Sequence, residues 1–205
     1  MAVPELRYED DRAEISKVIV GPIDNNVFFL RCRQTGQALM VDPANDGARL
    51  VELCRDLNVQ TIITTHGHWD HIGAVPEVRA AGWKVGIGAD DTPMLEAHDY
   101  AIADGDTIEV GRLRVHAIHT PGHTPGSTCF RLHGSPVLFS GDTLFPGGPG
   151  ATFGNAENFA TIIQSIDRLL FAALPDETIV MPGHGEDTTI GTERPHLQEW
   201  IDRGW

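Results

Sequence analysis

The chain has 205 residues, of which 41% are hydrophobic, and a formal net charge of −14. This length can bury a full core, and no linker or composition break divides it, so we expect a single domain over residues 1–205. The acidic charge disfavours nucleic acid and anionic membranes as partners, because both attract basic surfaces. No apolar run approaches the length of a membrane span.

The first twelve residues and the cysteines indicate the compartment. Residues 1–12 are polar and acidic, unlike a signal or transit peptide. Cys32, Cys54 and Cys129 are odd in number, far apart and without metal-site spacing, which indicates reduced thiols in the core. We therefore expect a cytoplasmic protein.

Strand and helix patterns alternate along the chain. Short apolar runs rich in β-branched residues predict nine strands, at 17–20, 27–32, 38–41, 59–64, 84–87, 113–118, 127–132, 136–139 and 178–181. Apolar residues at helical spacing and N-cap residues predict four helices, at about 46–57, 75–81, 156–173 and 194–203. Strands and helices interleaved in this way predict an α/β layered fold.

The segment Thr64–Gly73 reads TTHGHWDHIG and concentrates potential metal ligands. His66, His68, Asp70 and His71 are all ligands for first-row metals, and packing alone needs no such cluster. His66 and His68 follow a predicted strand, and an extended i, i+2 pair points to one side and can grip one ion. Asp70 and His71 fall where the chain turns, within reach of a second ion.

Three further candidate ligands follow predicted strands and have glycine neighbours. His123 lies in a Pro-Gly turn, Asp142 follows Ser-Gly, and His184 lies between two glycines. Each alone is typical of a loop histidine or a helix cap. Because α/β proteins collect their chemistry at strand ends, the three together with the first motif predict a site for two metal ions.

These four motifs, in this order and at these strand ends, resemble the metallo-β-lactamase superfamily. The resemblance covers about residues 17–185 and implies a four-layer αβ/βα sandwich with the site along one edge of the paired sheets. It implies two divalent ions, zinc first and iron or manganese as alternatives. It assigns the ligands as His66, His68 and His123 on one ion, Asp70, His71 and His184 on the other, and Asp142 between them.

Within this superfamily, the sequence resembles the short bacterial glyoxalase II enzymes. Trp69 within His-Trp-Asp-His and the stretch 183–194 carry this resemblance, and Asp142 as a bridge is the hydrolase pattern. It implies a metal-bridging hydroxide that attacks a small-molecule hydroxyacyl thioester, with Asp70 orienting the hydroxide and taking its proton. Longer relatives carry a C-terminal helical domain that holds glutathione, and we expect none here. The expected oligomeric state is a monomer or a homodimer.

One loop departs from the glyoxalase II pattern. Residues 146–154 contain no arginine, where short relatives usually have one, so glutathione does not follow as the thiol carrier. Three alternatives to thioester hydrolysis stay open at this point. They are a mononuclear iron persulfide dioxygenase from a sister branch, a lactone hydrolase, and a binding module that holds metal structurally.

Four residues near the motifs have two interpretations each. Phe145 and Phe153 flank the Gly-rich loop, where they shape an apolar acyl pocket or anchor the loop to the core, and we favour anchoring slightly. Trp69 packs beneath the site or lines a substrate pocket. His119 is expected to hold its turn or to hydrogen-bond a ligand rather than to bind metal.

Overall fold

The structure is a computed structural model that describes residues 4–204. Its first sheet has seven strands, which lie side by side in chain order. They are β1 Glu5–Glu9, β2 Ala13–Val20, β3 Asn25–Cys32, β4 Ala38–Val41, β5 Val59–Ile63, β6 Val85–Gly88 and β7 Tyr100–Ile102. Strands β1 to β4 are antiparallel, and β4 to β7 are parallel.

The second sheet has six strands in the spatial order β15-β14-β11-β10-β9-β8. The second half of the chain forms β8 Thr107–Val110, β9 Leu113–His119, β10 Thr128–Leu132, β11 Val137–Gly141, β12 Leu144–Phe145, β13 Gly148–Pro149, β14 Ile179–Pro182 and β15 Thr188–Thr189. Strands β11 and β14 pair in parallel, and their neighbours pair antiparallel. Strands β12 and β13 form a separate small hairpin.

The α-helices are α1 Gly47–Asp56, α2 Trp69–Ile72, α3 Val75–Ala80, α4 Ala156–Ser165, α5 Ile190–Glu193 and α6 Leu197–Arg203. Ala89–Met94 and Arg194–His196 are 3-10 helices, and a π-helical turn over Ile166–Phe171 continues α4. Within residues 4–204, no helix combines the length and apolarity needed to cross a membrane.

Three hydrophobic cores separate four layers. One core lies between the two sheets, where the rings of Phe28 and Phe139 are 5.4 Å apart. The neighbouring residue Phe29 points to the other face of the first sheet, as strand alternation requires, and packs in a second core with residues of α1 and α3. A third core joins the second sheet to α4 and α6, including buried Trp200. The order is helix, sheet, sheet, helix, which confirms the predicted αβ/βα sandwich.

Each predicted strand is present, with ends shifted by a few residues, and the structure adds short strands that lack an apolar run. Strands β1, β8 and β15 lie at sheet edges, where exposed polar side chains are tolerated because one edge has no neighbouring strand. The helix expected over 156–173 changes at Ser165 from α to π geometry. The three cysteines are buried and unpaired, as expected.

Candidate metal centre

All seven predicted ligands meet where strands of the two sheets end. His66 and His68 follow β5, and α2 then carries Asp70 and His71 rather than an irregular turn. The other three follow the ends of strands in the second sheet, His123 after β9, Asp142 after β11 and His184 after β14. Five of the seven line an open cleft of about 650 Å³, namely His68, Asp70, His123, Asp142 and His184, and His66 and His71 lie buried behind them. The pairs β4–β5 and β11–β14 are each parallel, so their carboxyl ends lie at this common edge.

The seven side chains fall into three overlapping groups whose ligand atoms lie within 4.8 Å of one another. These groups are His66, His68 and His123; His66, His71 and Asp142; and Asp70, His71 and His184. The first and third groups are the two ligand sets that the resemblance implies. Asp142 lies between them, with Oδ1 3.3 Å from His71 Nε2 and Oδ2 3.5 Å from His123 Nε2. We refer to these seven side chains as the floor of the cleft.

The floor fits metal ions because several of its buried atoms have no hydrogen-bond partner. Among residues 4–204, His71 Nε2, His123 Nε2 and Asp142 Oδ1 are buried polar atoms without one. A buried nitrogen or carboxylate oxygen left unpaired is costly, so native proteins rarely keep one without a purpose. The carboxylate of Asp142 lies close to both nitrogen atoms, with Oδ1 near His71 Nε2 and Oδ2 near His123 Nε2. Imidazole and carboxylate are ligands that zinc, iron and manganese accept.

The local electrostatics favour bound cations. Burial lowers the pKa of His66 well below its usual value, and the nearby His71 lowers it further. Burial raises the pKa of Asp142, but His71, His66 and His123 together outweigh that effect and hold the pKa below its usual range. Burial lowers the pKa of His71, but Asp42 and Asp142 together outweigh burial and raise it well above its usual value. The shifts of His66 and Asp142 favour the neutral imidazole and the ionised carboxylate, which are the forms that bind metal, whereas a metal ion on His71 Nε2 has to displace a proton.

A buried carboxylate that the sequence interpretation missed orients two of the floor histidines. Asp42, at the end of β4, accepts hydrogen bonds from the backbone N–H of Thr65 at 2.6 Å and from its hydroxyl at 2.8 Å. Its Oδ2 is also 2.9 Å from His71 Nδ1. Thr65 Oγ1 in turn lies 3.1 Å from His66 Nδ1. Asp42 thereby leaves the Nε2 atom of His71 directed at the floor. The sequence did contain a signal for this residue, namely an acidic residue directly after an apolar strand.

A second missed carboxylate, Asp91, joins two ligand loops. It is completely buried in the 3-10 helix after β6. Its Oδ2 accepts from the N–H of Gly67 at 2.9 Å and from the hydroxyl of Thr124 at 2.6 Å, and its Oδ1 accepts from the N–H of Gly126 at 2.7 Å. Gly67 separates His66 from His68, and Thr124 follows His123. Asp91 therefore fixes the two loops of the first ligand group relative to each other. In the sequence Asp91 directly follows Asp90, and nothing in the local pattern distinguishes one aspartate from the other.

The second ligand group is supported from the first sheet. Asn25, the first residue of β3, donates from Nδ2 to Asp70 Oδ2 at 2.9 Å, and His184 Nε2 lies 3.2 Å from the same oxygen. His184 Nδ1 lies 3.1 Å from the carbonyl oxygen of Ile23. A side chain on Gly183 would overlap Asp142 and His71, so glycine is required for the backbone to approach the site there.

The structure bears on the two interpretations given above for each of four residues, Trp69, His119, Phe145 and Phe153. His119 Nε2 lies 2.7 Å from the carbonyl oxygen of Pro125, so it holds the turn that carries His123. Trp69 is 63% exposed and lines the cleft, so its side chain does not pack beneath the site. Phe153 is 78% exposed, so the slight preference for an anchor in the core was wrong for this residue. Phe145 is half-buried and also lines the cleft.

Comparisons with known sequences point in the same direction. A family model described as the metallo-beta-lactamase superfamily matches residues 20–184. The probable metallo-hydrolase YqgX of Bacillus subtilis is 32% identical over 196 residues, covering 85% of this chain and 92% of YqgX. Hydroxyacylglutathione hydrolase GloC of Haemophilus influenzae is 32% identical over 179 residues, covering 77% of this chain and 84% of GloC. Hydroxyacylglutathione hydrolase of Aeromonas salmonicida is 37% identical over 175 residues, but only 64% of its length is covered, against 82% of this chain.

Solved structures share the whole architecture. The crystal structure of BLEG-1 B3 metallo-beta-lactamase matches with a TM-score of 0.77 at 30% identity, covering 89% of this chain and 97% of that protein. The crystal structure of ETHE1 from Myxococcus xanthus matches with a TM-score of 0.74 at 27% identity, covering 89% of this chain and 82% of ETHE1.

Proposed function

The chain belongs to the metallo-beta-lactamase superfamily, a family of metal-dependent hydrolases, and from this premise we propose that it hydrolyses a hydroxyacyl thioester. Relatives at 32% and 37% identity carry the name hydroxyacylglutathione hydrolase, which supports this reaction. The proposal does not specify glutathione as the thiol carrier, because the loop over 146–154 contains neither arginine nor lysine to bind its carboxylates.

The observation that carries the proposal is the set of unpaired floor atoms at the base of an open cleft. In this proposal His66, His68 and His123 hold one divalent ion, Asp70, His71 and His184 hold the second, and Asp142 reaches both. When bound, such a pair of ions lowers the pKa of a water to roughly 7 and polarises the substrate carbonyl. The cleft leaves the floor open to a small molecule, whereas a purely structural metal site is closed.

Asp70 is the side chain that we assign to the attacking water. Burial raises its pKa, but the hydrogen bonds with His184 and His71 outweigh burial and hold the pKa well below its usual range. Asp70 therefore stays ionised and accepts a hydrogen bond, which orients the water. We assign to Asp70 both the orienting of this water and the later acceptance of its proton. The departing thiol has a pKa near 8.5, so its thiolate leaves without strong protonation.

Metal analysis of the purified protein, followed by three assays, tests the proposal. The assays measure thiol release from S-lactoyl-N-acetylcysteamine, oxygen uptake with glutathione persulfide, and ring opening of a lactone. We expect about two metal ions per chain and thiol release as the dominant activity. A single iron with oxygen uptake, or lactone opening without thiol release, would overturn it.

A pair of histidine variants links activity to the floor. His123→Ala is expected to lose metal and at least about a thousandfold in kcat/KM, because it removes a ligand from a two-metal site. His133→Ala is the matched control, since His133 is exposed and its ring packs on His116 rather than on the floor. Equal activity in the two variants would contradict the assigned ligands.

A further inference from the structure

Exposed apolar side chains gather around the metal centre. Among the described residues, eight large hydrophobic side chains are exposed, namely Leu6, Ile19, Ile23, Trp69, Met94, Phe153, Leu169 and Ile201. Three of them, Ile23, Trp69 and Phe153, line the same cleft, and we refer to these three as the rim. Single exposed apolar residues are ordinary, but a group of them around one cleft marks a binding surface.

Phe153 is held over the floor at a conformational cost. Its φ of 55° lies in the left-handed region, which a bulky side chain rarely adopts. Its ring centroid is 5.9 Å from that of His68 and 6.0 Å from that of His123. Because the side chain is 78% exposed, burial in the core does not offset the strained backbone. A strained, exposed aromatic ring beside the ligands indicates a contact with substrate.

The rim surrounds the floor from more than one side. Phe153 stands beside His68 and His123, whereas the carbonyl of Ile23 contacts His184, in the other ligand group. Trp69 lies between His68 and Asp70 in the chain. A substrate placed over the floor therefore has apolar surface near both ligand groups.

The charged groups that line the cleft all belong to the floor. The polar side chains of the lining are His68, Asp70, His123, Asp142 and His184, and no lysine or arginine of residues 4–204 is among them. The guanidinium of Arg203 lies next to Gly148, which lines the cleft, but Arg203 is not itself among the lining residues. Carboxylates of a carrier such as glutathione need cationic or N–H partners when they bind. The described lining offers the apolar side chains of the rim and no lysine or arginine side chain for such carboxylates.

We infer that this cleft selects hydroxyacyl thioesters whose acyl group bears an apolar substituent larger than the methyl of lactoyl and whose thiol carrier is uncharged. The inference rests on the proposed thioesterase activity and names its substrate class. Ile23, Trp69 and Phe153 bind the apolar portions while the thioester carbonyl lies over the floor. Water attacks that carbonyl, the C–S bond breaks, and the products are the hydroxy acid and the free thiol.

A substrate series tests both halves of the inference. The metal-loaded protein is assayed with lactoyl, 2-hydroxybutanoyl, 2-hydroxyhexanoyl and mandeloyl thioesters, each on N-acetylcysteamine and on glutathione. We expect kcat/KM to rise about fourfold per added methylene, as transfer of apolar surface from water implies. N-acetylcysteamine thioesters are expected to be cleaved at least as well as glutathione thioesters. A flat series, or a tenfold preference for glutathione, would overturn the inference.

Substitutions of rim residues test which side chains determine the selectivity for acyl size. Phe153→Ala is expected to lower kcat/KM about tenfold for the hydroxyhexanoyl thioester and about threefold for lactoyl, mainly through KM. Ile23→Ser, on the other side of the floor, is expected to reduce the same chain-length slope. Leu6→Ala is the matched control, because Leu6 is 52% exposed on β1 and does not line the cleft. Equal losses on every substrate would contradict a role in selectivity.

The outcomes separate the two proposals. If no thioester is cleaved by protein that carries its metals, the proposed function fails and this inference fails with it. If thioesters are cleaved at rates independent of acyl size and of Phe153, only the substrate class is wrong.

Discussion

The floor and the rim of the cleft are adjacent and differ in how their side chains are held. His66 and His71 at the floor are 1% and 0% exposed, and Asp42 and Thr65 hold their outer nitrogen atoms. Ile23 and Phe153 at the rim are 47% and 78% exposed. The side chains of the floor are therefore fixed by burial and hydrogen bonds, as metal binding requires, whereas those of the rim are free to contact the substrate that we propose. Changes at the floor should affect metal content, and changes at the rim should affect substrate choice.

The largest effect is expected from Asp142→Ala. This change removes the carboxylate that faces both ligand groups, with one oxygen 3.3 Å from His71 Nε2 and the other 3.5 Å from His123 Nε2. We expect loss of metal from the purified protein and a fall of more than about a thousandfold in kcat/KM. Mass spectrometry for metals and the thiol-release assay measure the two effects. Asp56→Ala, at an exposed aspartate at the end of α1, is the control, and full metal content in Asp142→Ala would disprove the shared role.

The next largest effect is expected from Asp42→Asn, which tests whether support of the floor matters as much as the ligands. Asn preserves the shape and tolerates the left-handed φ of 60° at this position, but it cannot accept all of the bonds from Thr65 and His71. We expect metal affinity to fall about ten- to a hundredfold. The free energy of unfolding of the metal-free protein should fall by about 1–3 kcal/mol. Metal titration and urea unfolding measure these; unchanged affinity would contradict the orienting role.

A more selective effect is expected from Asp91→Asn. Asp91 joins the loop of His66 and His68 to the loop of His123 and does not contact the second ligand group. We expect about tenfold weaker binding of one metal ion and little change for the other, because an amide leaves one of the three donors unpaired. Stepwise metal titration by calorimetry separates the two sites. Asp99→Asn is a control, since Asp99 pairs with Arg79 away from the cleft, and equal weakening of both ions would show that Asp91 acts on the fold as a whole.

The smallest effect, and one of opposite sign, is expected from Phe153→Asn at the rim. Asn adopts the left-handed backbone conformation more readily than Phe, and the exposed ring contributes little burial, so relief of strain dominates. We expect the free energy of unfolding to rise by about 1 kcal/mol while metal content stays the same. Thermal and urea unfolding of the metal-free protein measure the change. Destabilisation instead would mean that Phe153 supports the fold, and the contrast between floor and rim would then be lost.

Local sequence patterns predicted the inner strands well and the edge strands poorly. Strands such as β3 and β11 are buried on both faces and therefore appear as continuous apolar runs. Strands β1 and β8 mix polar with apolar residues and are mostly exposed or half-buried, because an edge position needs no such run. The same limit applied to α2, where four residues are too few for helical periodicity to be visible.

The sequence by itself predicted which residues gather in the candidate metal centre, because His66, His68, Asp70 and His71 are close along the chain and the other three candidates follow strand ends. Metal ligands are few in kind, so their residue types and spacing are informative without coordinates. Only the tertiary structure revealed Asp42 and Asp91, whose bonds span 23 to 35 residues. Only the tertiary structure also separated exposed Trp69 and Phe153 from core aromatics, since an aromatic residue has the same local pattern in a core and at a rim. Exposure depends on what the rest of the chain packs against, and that is decided only when the two sheets come together.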